Sequence, residues 1–218
     1  SAVAWGAGDF SGGVATKKTN VYSVVFISQI VGGIFLAILA LIFREPIPPT
    51  GSLLFGALAG LAGLIGLLGL YSGLARGRMG IVAPLTAVIS ATLPVLFSLL
   101  TEGIPPFLHI IGFIFALIAV WLLSGAGRGA SVRPTEIGYA LIAGTGFALF
   151  FILIDQANDF AIFWPLVAAR IASVTCLLIY IQYSGVWQRP SRRQLPLIIF
   201  AGVMDALGNA FFTVAADR

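Results

Sequence analysis

The sequence predicts an all-α polytopic membrane protein, and three observations predict it. Hydrophobic residues make up 59% of the 218-residue chain and charged residues only 9%, against roughly 25% charged in an average soluble domain. Mean hydropathy is +1.05. The apolar residues gather in repeated runs of about 20, the helix length that crosses a hydrocarbon core. Buried strands are excluded because strands reach only about 10 residues.

Eight runs follow one another, each predicted to be a transmembrane helix. The first, residues 1–16, spans only about 24 Å at helical rise. It opens on Ser1 and not Met, so a chain trimmed at both ends is expected. The second run is 21–43, closed by the Pro-rich stretch REPIPPTGS. The third, 53–75, is rich in small residues at spacing four: Gly56 and Gly60, Ala59 and Gly63, Ala62 and Gly66, Gly69 and Gly73. In lipid such a stripe lets helix backbones approach closely. The fourth, 81–100, contains Pro84 and Pro94; Pro94 frees a carbonyl one turn earlier, near Ser90. The fifth is 106–124, with Pro105 and Pro106 at its start, where a missing N–H costs little. The sixth to eighth are 136–154, 161–183 and 195–216.

The formal charge of +4 is an orientation signal and not a nucleic-acid footprint. Odd-numbered loops hold Lys17, Lys18, Arg76, Arg78, Arg128, Arg133, Arg189, Arg192 and Arg193, nine cations against Arg44 and Arg218 elsewhere outside the spans. The positive-inside rule therefore puts the odd loops in the cytoplasm and the first residue outside. Glu45, Glu102, Asp155, Asp159 and Asp217 fall mostly on the opposite side.

A weak internal repeat runs through the chain. Ser28, Gln29 and Ile30 align with Ala169, Arg170 and Ile171 at an offset of 141 residues, and Gly60 and Gly66 align with Gly202 and Gly208 at 142. The expected organisation is a first five-helix unit over 1–126, a connector over 127–135, and a second, incomplete unit of three helices over 136–218. Five is odd, so the second unit enters the membrane inverted. Inverted repeats place a site near the bilayer midplane, at the repeat interface.

Three ionisable residues lie inside spans: Asp9, Arg170 and Asp205. Such residues are costly in lipid, face a cavity and pair with one another. Two carboxylates and one guanidinium leave a surplus carboxylate, able to hold a proton, a cation or a substrate amine. The alternative is a static Asp205–Arg170 pair that only fixes packing. Further candidates for the cavity are Trp5, Gln29, Tyr71, Thr86, Ser90, Gln156 and Asn209, which follows Asp205 by one turn and shares its helix face. Trp5, Phe10 and Trp164 are candidates for an aromatic wall, with Trp164 equally placed to anchor the interface. Pro94 is a candidate hinge, or a fixed bend.

Cofactor and metal chemistry find no support. The glycines around Asp9 do not have phosphate-loop spacing and follow no strand, so they are read as close-approach positions. Cys176 is the only cysteine and His109 the only histidine, too few for a soft-ligand metal site. Cys176 is expected to be a small core residue.

Two stretches carry a resemblance: AWGAGDFSGG in the first span, and LYSGLARGRMGIVAPLTAVISATLPVLFSLLTEGIPPFLHIIGFIFALIAVWLLS over 70–124. The second includes Pro94, Glu102 after the fourth span and Gly112 in the fifth. With the short connector before a second similar unit, they resemble the drug/metabolite transporter superfamily, specifically ten-span proteins of two EamA-like domains. The family pattern continues for two spans past the eighth. The resemblance implies a secondary carrier of small metabolites working by alternating access, a permease with no catalytic residues. Its expected place is the bacterial plasma (inner) membrane, and its expected partners are the bilayer, a small solute and protons. A mixed-sign site favours a zwitterion such as an amino acid. An intramembrane enzyme acting on a lipid and a channel are the rival readings.

Overall fold

The computed structural model describes residues 1–77, 79–101, 103, 107–123, 133–157 and 160–216, without the side chains of 109, 117, 120, 121, 123 and 216. Arg78, Glu102, Pro105, Pro106, Arg128, Asp159, Asp217, Arg218, the His109 side chain and connector residues 124–132 lie outside the described residues.

Eight helices and no strands form among the described residues: α1 (Ala2–Thr16), α2 (Val21–Ile42), α3 (Thr50–Arg76), α4 (Met79–Thr101), α5 (Phe107–Leu123), α6 (Pro134–Asp155), α7 (Phe163–Ser184) and α8 (Leu195–Ala216). Six of them, all but α1 and α5, are long and apolar enough on their described residues to cross a membrane. The protein is a polytopic membrane protein, and its exterior fits that solvent. Ile38, Leu58, Ile65, Ile142 and Ile171 all point outward. Cys176 is also exposed, correcting its expected place in the core. Lipid is as apolar as a protein interior, so an outward thiol on α7 loses nothing.

Local chemistry sets the helix ends. The Asn20 side chain accepts a hydrogen bond from the Tyr22 N–H at 2.9 Å and starts α2. Pro134 occupies the first turn of α6, and the Glu136 carboxylate accepts from the Arg133 N–H at 2.9 Å. Gly185 stops α7 at φ +64°, a left-handed conformation that favours glycine.

The most elaborate cap is non-local. Glu45, in the α2–α3 loop, receives the backbone N–H groups of Ile162, Phe163 and Trp164 at 2.6–3.1 Å, and its own carbonyl accepts the Trp164 indole N–H at 2.9 Å. A carboxylate at a helix N-terminus satisfies orphan donors and meets the positive end of the helix dipole. Glu45→Ala should therefore cost about 1–2 kcal/mol, read as a lowered unfolding midpoint of the detergent-purified protein. An unchanged midpoint would mean the cap is replaced by water without loss.

α3 is the central helix. It packs on α6 and α7, α4 packs on α6, α1 on α8, and α2 on α7 and α8; α5 lies against α4. The small-residue stripe permits this. A Cβ on Gly56 or Gly60 would strike the backbone of Pro165 or Ala169 in α7, and Gly66 and Gly69 leave room for Phe147 and Ala143 of α6. The described parts of the first, third and seventh loops lie at one end, where Thr19 donates to Gln194 at 2.8 Å and Arg76, at the end of α3, to Tyr139 at 3.1 Å. Glu45 and the start of α7 mark the other end.

Two apolar cores result. One, at the odd-loop end, includes Val24, Val25, Leu67, Leu74 and Ile198. The other includes Leu36, Ile154, Phe163, Leu166 and Ala206. Gln29, Arg170 and Asp205 fall between them along α2, α7 and α8.

Candidate functional site

Between the two cores lies a cavity of about 540 Å³. α1 brings Trp5 and Asp9 to it, four residues apart and so on one helix face; α8 brings Asp205 and Asn209 in the same way. α1 and α8 approach closely because Gly8 rests on the Ala201 carbonyl and the Asp205 backbone. Gln29 of α2 and Arg170 of α7 enter from the side, and Thr86, Ser90 and Pro94 of α4 close the opposite wall.

The charges are arranged unequally. Arg170, 7% exposed, directs Nη2 to Asp205 Oδ2 at 2.7 Å and donates from Nη1 to the Gln29 side-chain oxygen. Ser173 donates to the same Gln29 oxygen at 3.2 Å. Two terminal nitrogens of a rigid guanidinium fork are thus occupied. Its Nε is buried without a partner, beside Gly32 of α2. Asp9 lines the same cavity but has no hydrogen bond or ion pair among the described residues. The surplus carboxylate read from the sequence is Asp9.

An aromatic cluster adjoins it. The Trp5 ring lies 5.4 Å from that of Phe151 and 5.7 Å from that of Phe212, and the two phenylalanines are 4.8 Å apart. The Trp5 indole N–H donates to Asn209 Oδ1 at 3.1 Å, fixing the ring in place. Phe10 and Trp164, expected in this wall, are not in it. Phe10 points outward at 63% exposure, on the far side of α1 from Asp9's neighbours in α8. Trp164 is held by Glu45 at the helix end.

Other expected residues divide. Trp5, Asp9, Gln29, Thr86, Ser90, Pro94, Arg170, Asp205 and Asn209 all line the cavity. Ser90 Oγ bonds back to the Ala87 carbonyl at 3.1 Å, whereas Thr86 Oγ1 has no partner. Tyr71 does not line it: the side chain is fully buried with its ring against Gly12 of α1. Gln156 is exposed at the end of α6. Gly8, Gly12 and Gly13 are close-approach positions as expected, but Gly6 has open space around it. Phe147, Phe150, Phe151 and Phe212 were not among the sequence candidates, because aromatic residues at helical spacing are equally core or lipid-facing until neighbours are known.

A transmembrane bundle enclosing ionisable groups in an aromatic-walled cavity is the geometry of a solute carrier. The model of the EamA-like transporter family matches residues 1–125, more than half of the chain. The chain belongs to the EamA-like transporter family. Comparison with curated proteins and with solved structures finds no match. The EamA-like match covers α1 to α5, and so includes Trp5, Asp9, Gln29, Ser90 and Pro94 of the cavity. It assigns the protein to membrane transport of small solutes.

Proposed function

We propose that the protein is a secondary active carrier of a small metabolite, an amino-acid-like or drug-like solute, in the bacterial inner membrane. It works by alternating access, with the cavity as its binding site and a proton on Asp9 or Asp205 as coupling. The observation that carries this reading is the meeting of Asp9, Arg170 and Asp205 in one cavity. These are costly residues in a membrane interior, and a packing role would not require an unpaired carboxylate beside an open space.

The mechanism needs two units able to rock against each other, and the inverted repeat supplies them. Its support is a set of contacts that recur at the repeat offset. Gly60 rests on Ala169, and Gly202 on Ser28; Gly66 meets Phe147, and Gly208 meets Trp5. The loop after α2 caps α7 through Glu45. The loop after α7 in turn meets the start of α2, where Gln188 accepts from the Asn20 N–H at 2.6 Å and donates to Ser23 Oγ at 2.9 Å. Gln29 and Arg170 are 141 residues apart and bonded to each other. Counterparts related by a two-fold axis touch only near that axis, so this contact marks the centre of the molecule. Charge breaks the symmetry there: Asp9 and Asp205 correspond to Phe151 and Gly63 at an offset of 142 residues. Pro94, in the cavity wall, is the proposed hinge of α4.

Uptake or efflux of a labelled metabolite by proteoliposomes containing the full chain tests this. Saturable transport that changes with pH is expected, and flux without saturation would indicate a channel. The groups facing Asp9 are Asp205 on α8 and Arg170 on α7, with Tyr71 of α3 packed on Gly12 of α1. Asp9→Asn should abolish or flatten the pH dependence. A pH profile of transport in that variant matching the parent protein's would remove Asp9 from coupling.

A further inference from the structure

We infer that the cargo of this cavity is an amphipathic monocation, a protonated amine on a flat apolar body, and not a zwitterion or an anion. The inference rests on the carrier reading and names its substrate class. Five observations carry it.

The positive charge of the cavity is already used. Arg170 holds Asp205 at 2.7 Å and Gln29 with its other terminal nitrogen, and its Nε lies against α2 at Gly32. A cargo carboxylate would meet a guanidinium whose charge Asp205 already balances, and could reach only the N–H donors that Asp205 and Gln29 leave over. Asp9, by contrast, is unengaged among the described residues and lines the cavity. With the Arg170–Asp205 pair neutral overall, an ionised Asp9, the form that a bound ammonium favours, gives the cavity one negative charge.

Trp5 stands one turn from Asp9, locked by Asn209 and packed with Phe151 and Phe212. A preorganised aromatic cluster beside a carboxylate recognises both halves of such a cargo. The amine makes a charge-assisted hydrogen bond with Asp9, and the rings attract both the cation and the apolar body. Across the cavity, Thr86 is 4% exposed and its hydroxyl is unpartnered, a polar group available when cargo is present. The volume of about 540 Å³ lies in the range of small-molecule sites, about 300–1,000 Å³. A zwitterion would bring its carboxylate into a space with surplus negative charge, and selection against it follows from that repulsion and desolvation.

Three probes sharing one body separate the charge classes: phenethylamine, phenylalanine and 3-phenylpropionate, each titrated at pH 7 against the full chain in lipid nanodiscs. The amine should bind at least about tenfold more tightly than the other two. Asp9→Asn should lower amine affinity by about tenfold or more, and Asp9→Glu should retain it. Phenylalanine or phenylpropionate binding as tightly as the amine would overturn the inference. So would failure of all three to bind, or an amine affinity unchanged by Asp9→Asn. Saturable uptake of phenylalanine by liposomes, together with its tighter binding, would sink the cation assignment and leave the carrier reading standing.

Discussion

Arg170→Met should destabilise the protein by about 3 kcal/mol, the lower end of the cost of breaking a buried ion pair. The substitution leaves the Asp205 carboxylate without its partner between two apolar cores. The lower end applies because the Asp205 side chain is 18% exposed and cavity water screens part of its charge. Gln29 keeps one partner, Ser173, so its loss is partial. Adding Asp205→Leu should recover most of the stability, since apolar replacement of a whole buried pair is commonly neutral or better. Denaturant unfolding of the detergent-solubilised variants reads both changes. A single variant as stable as the parent would mean that the pair contributes nothing to the fold. Recovery of stability without recovery of transport would assign the pair to the site.

Gly60→Val should be of similar size. The added Cβ would meet the carbonyl and Cα of Ala169, and backbone cannot rotate away as a side chain can. Overpacking of this kind costs about 1–3 kcal/mol, and here it also spreads α3 from α7 beside the cavity. Gly202→Val should cause a comparable loss against the Ser28 carbonyl. Gly6→Ala, with open space around it, should leave the unfolding midpoint unchanged or slightly raised. Equal midpoints for all three variants would refute the close-approach reading of the glycine stripe.

Much of this fold was legible because lipid imposes a simple rule. A backbone that cannot bond to water must form helices, and runs of apolar residues mark them. The ends were less legible. α7 begins at Phe163, two residues past the start of its apolar run, because Glu45 binds its first N–H groups from a loop more than a hundred residues away. α3 begins at Thr50, directly after Pro49, three residues ahead of its apolar run.

The site followed the same logic. Asp9, Arg170 and Asp205 stood out because ionised groups in apolar spans need a reason. What the sequence could not give was their pairing. Gln29 as a second acceptor for Arg170, and Asp9 as the carboxylate left over, depend on how α2, α7 and α8 cross. Helix crossing also sends Phe10 outward and brings Phe151 and Phe212 to Trp5. Tyr71, one turn past the cavity-lining Leu67 of α3, is buried with its ring against Gly12 of α1 and does not reach the cavity wall.

Thiol labelling from the aqueous phase tests the central claim, that these helices enclose a water-accessible binding cavity. Cys176 faces outward in the apolar surface of α7, so a membrane-impermeant maleimide should leave it unmodified in proteoliposomes. Ser90→Cys places a second thiol in the cavity wall. That thiol should be labelled, and cargo should protect it. Labelling of Ser90→Cys no greater than that of the parent protein would contradict a solvated cavity between α1, α4 and α8.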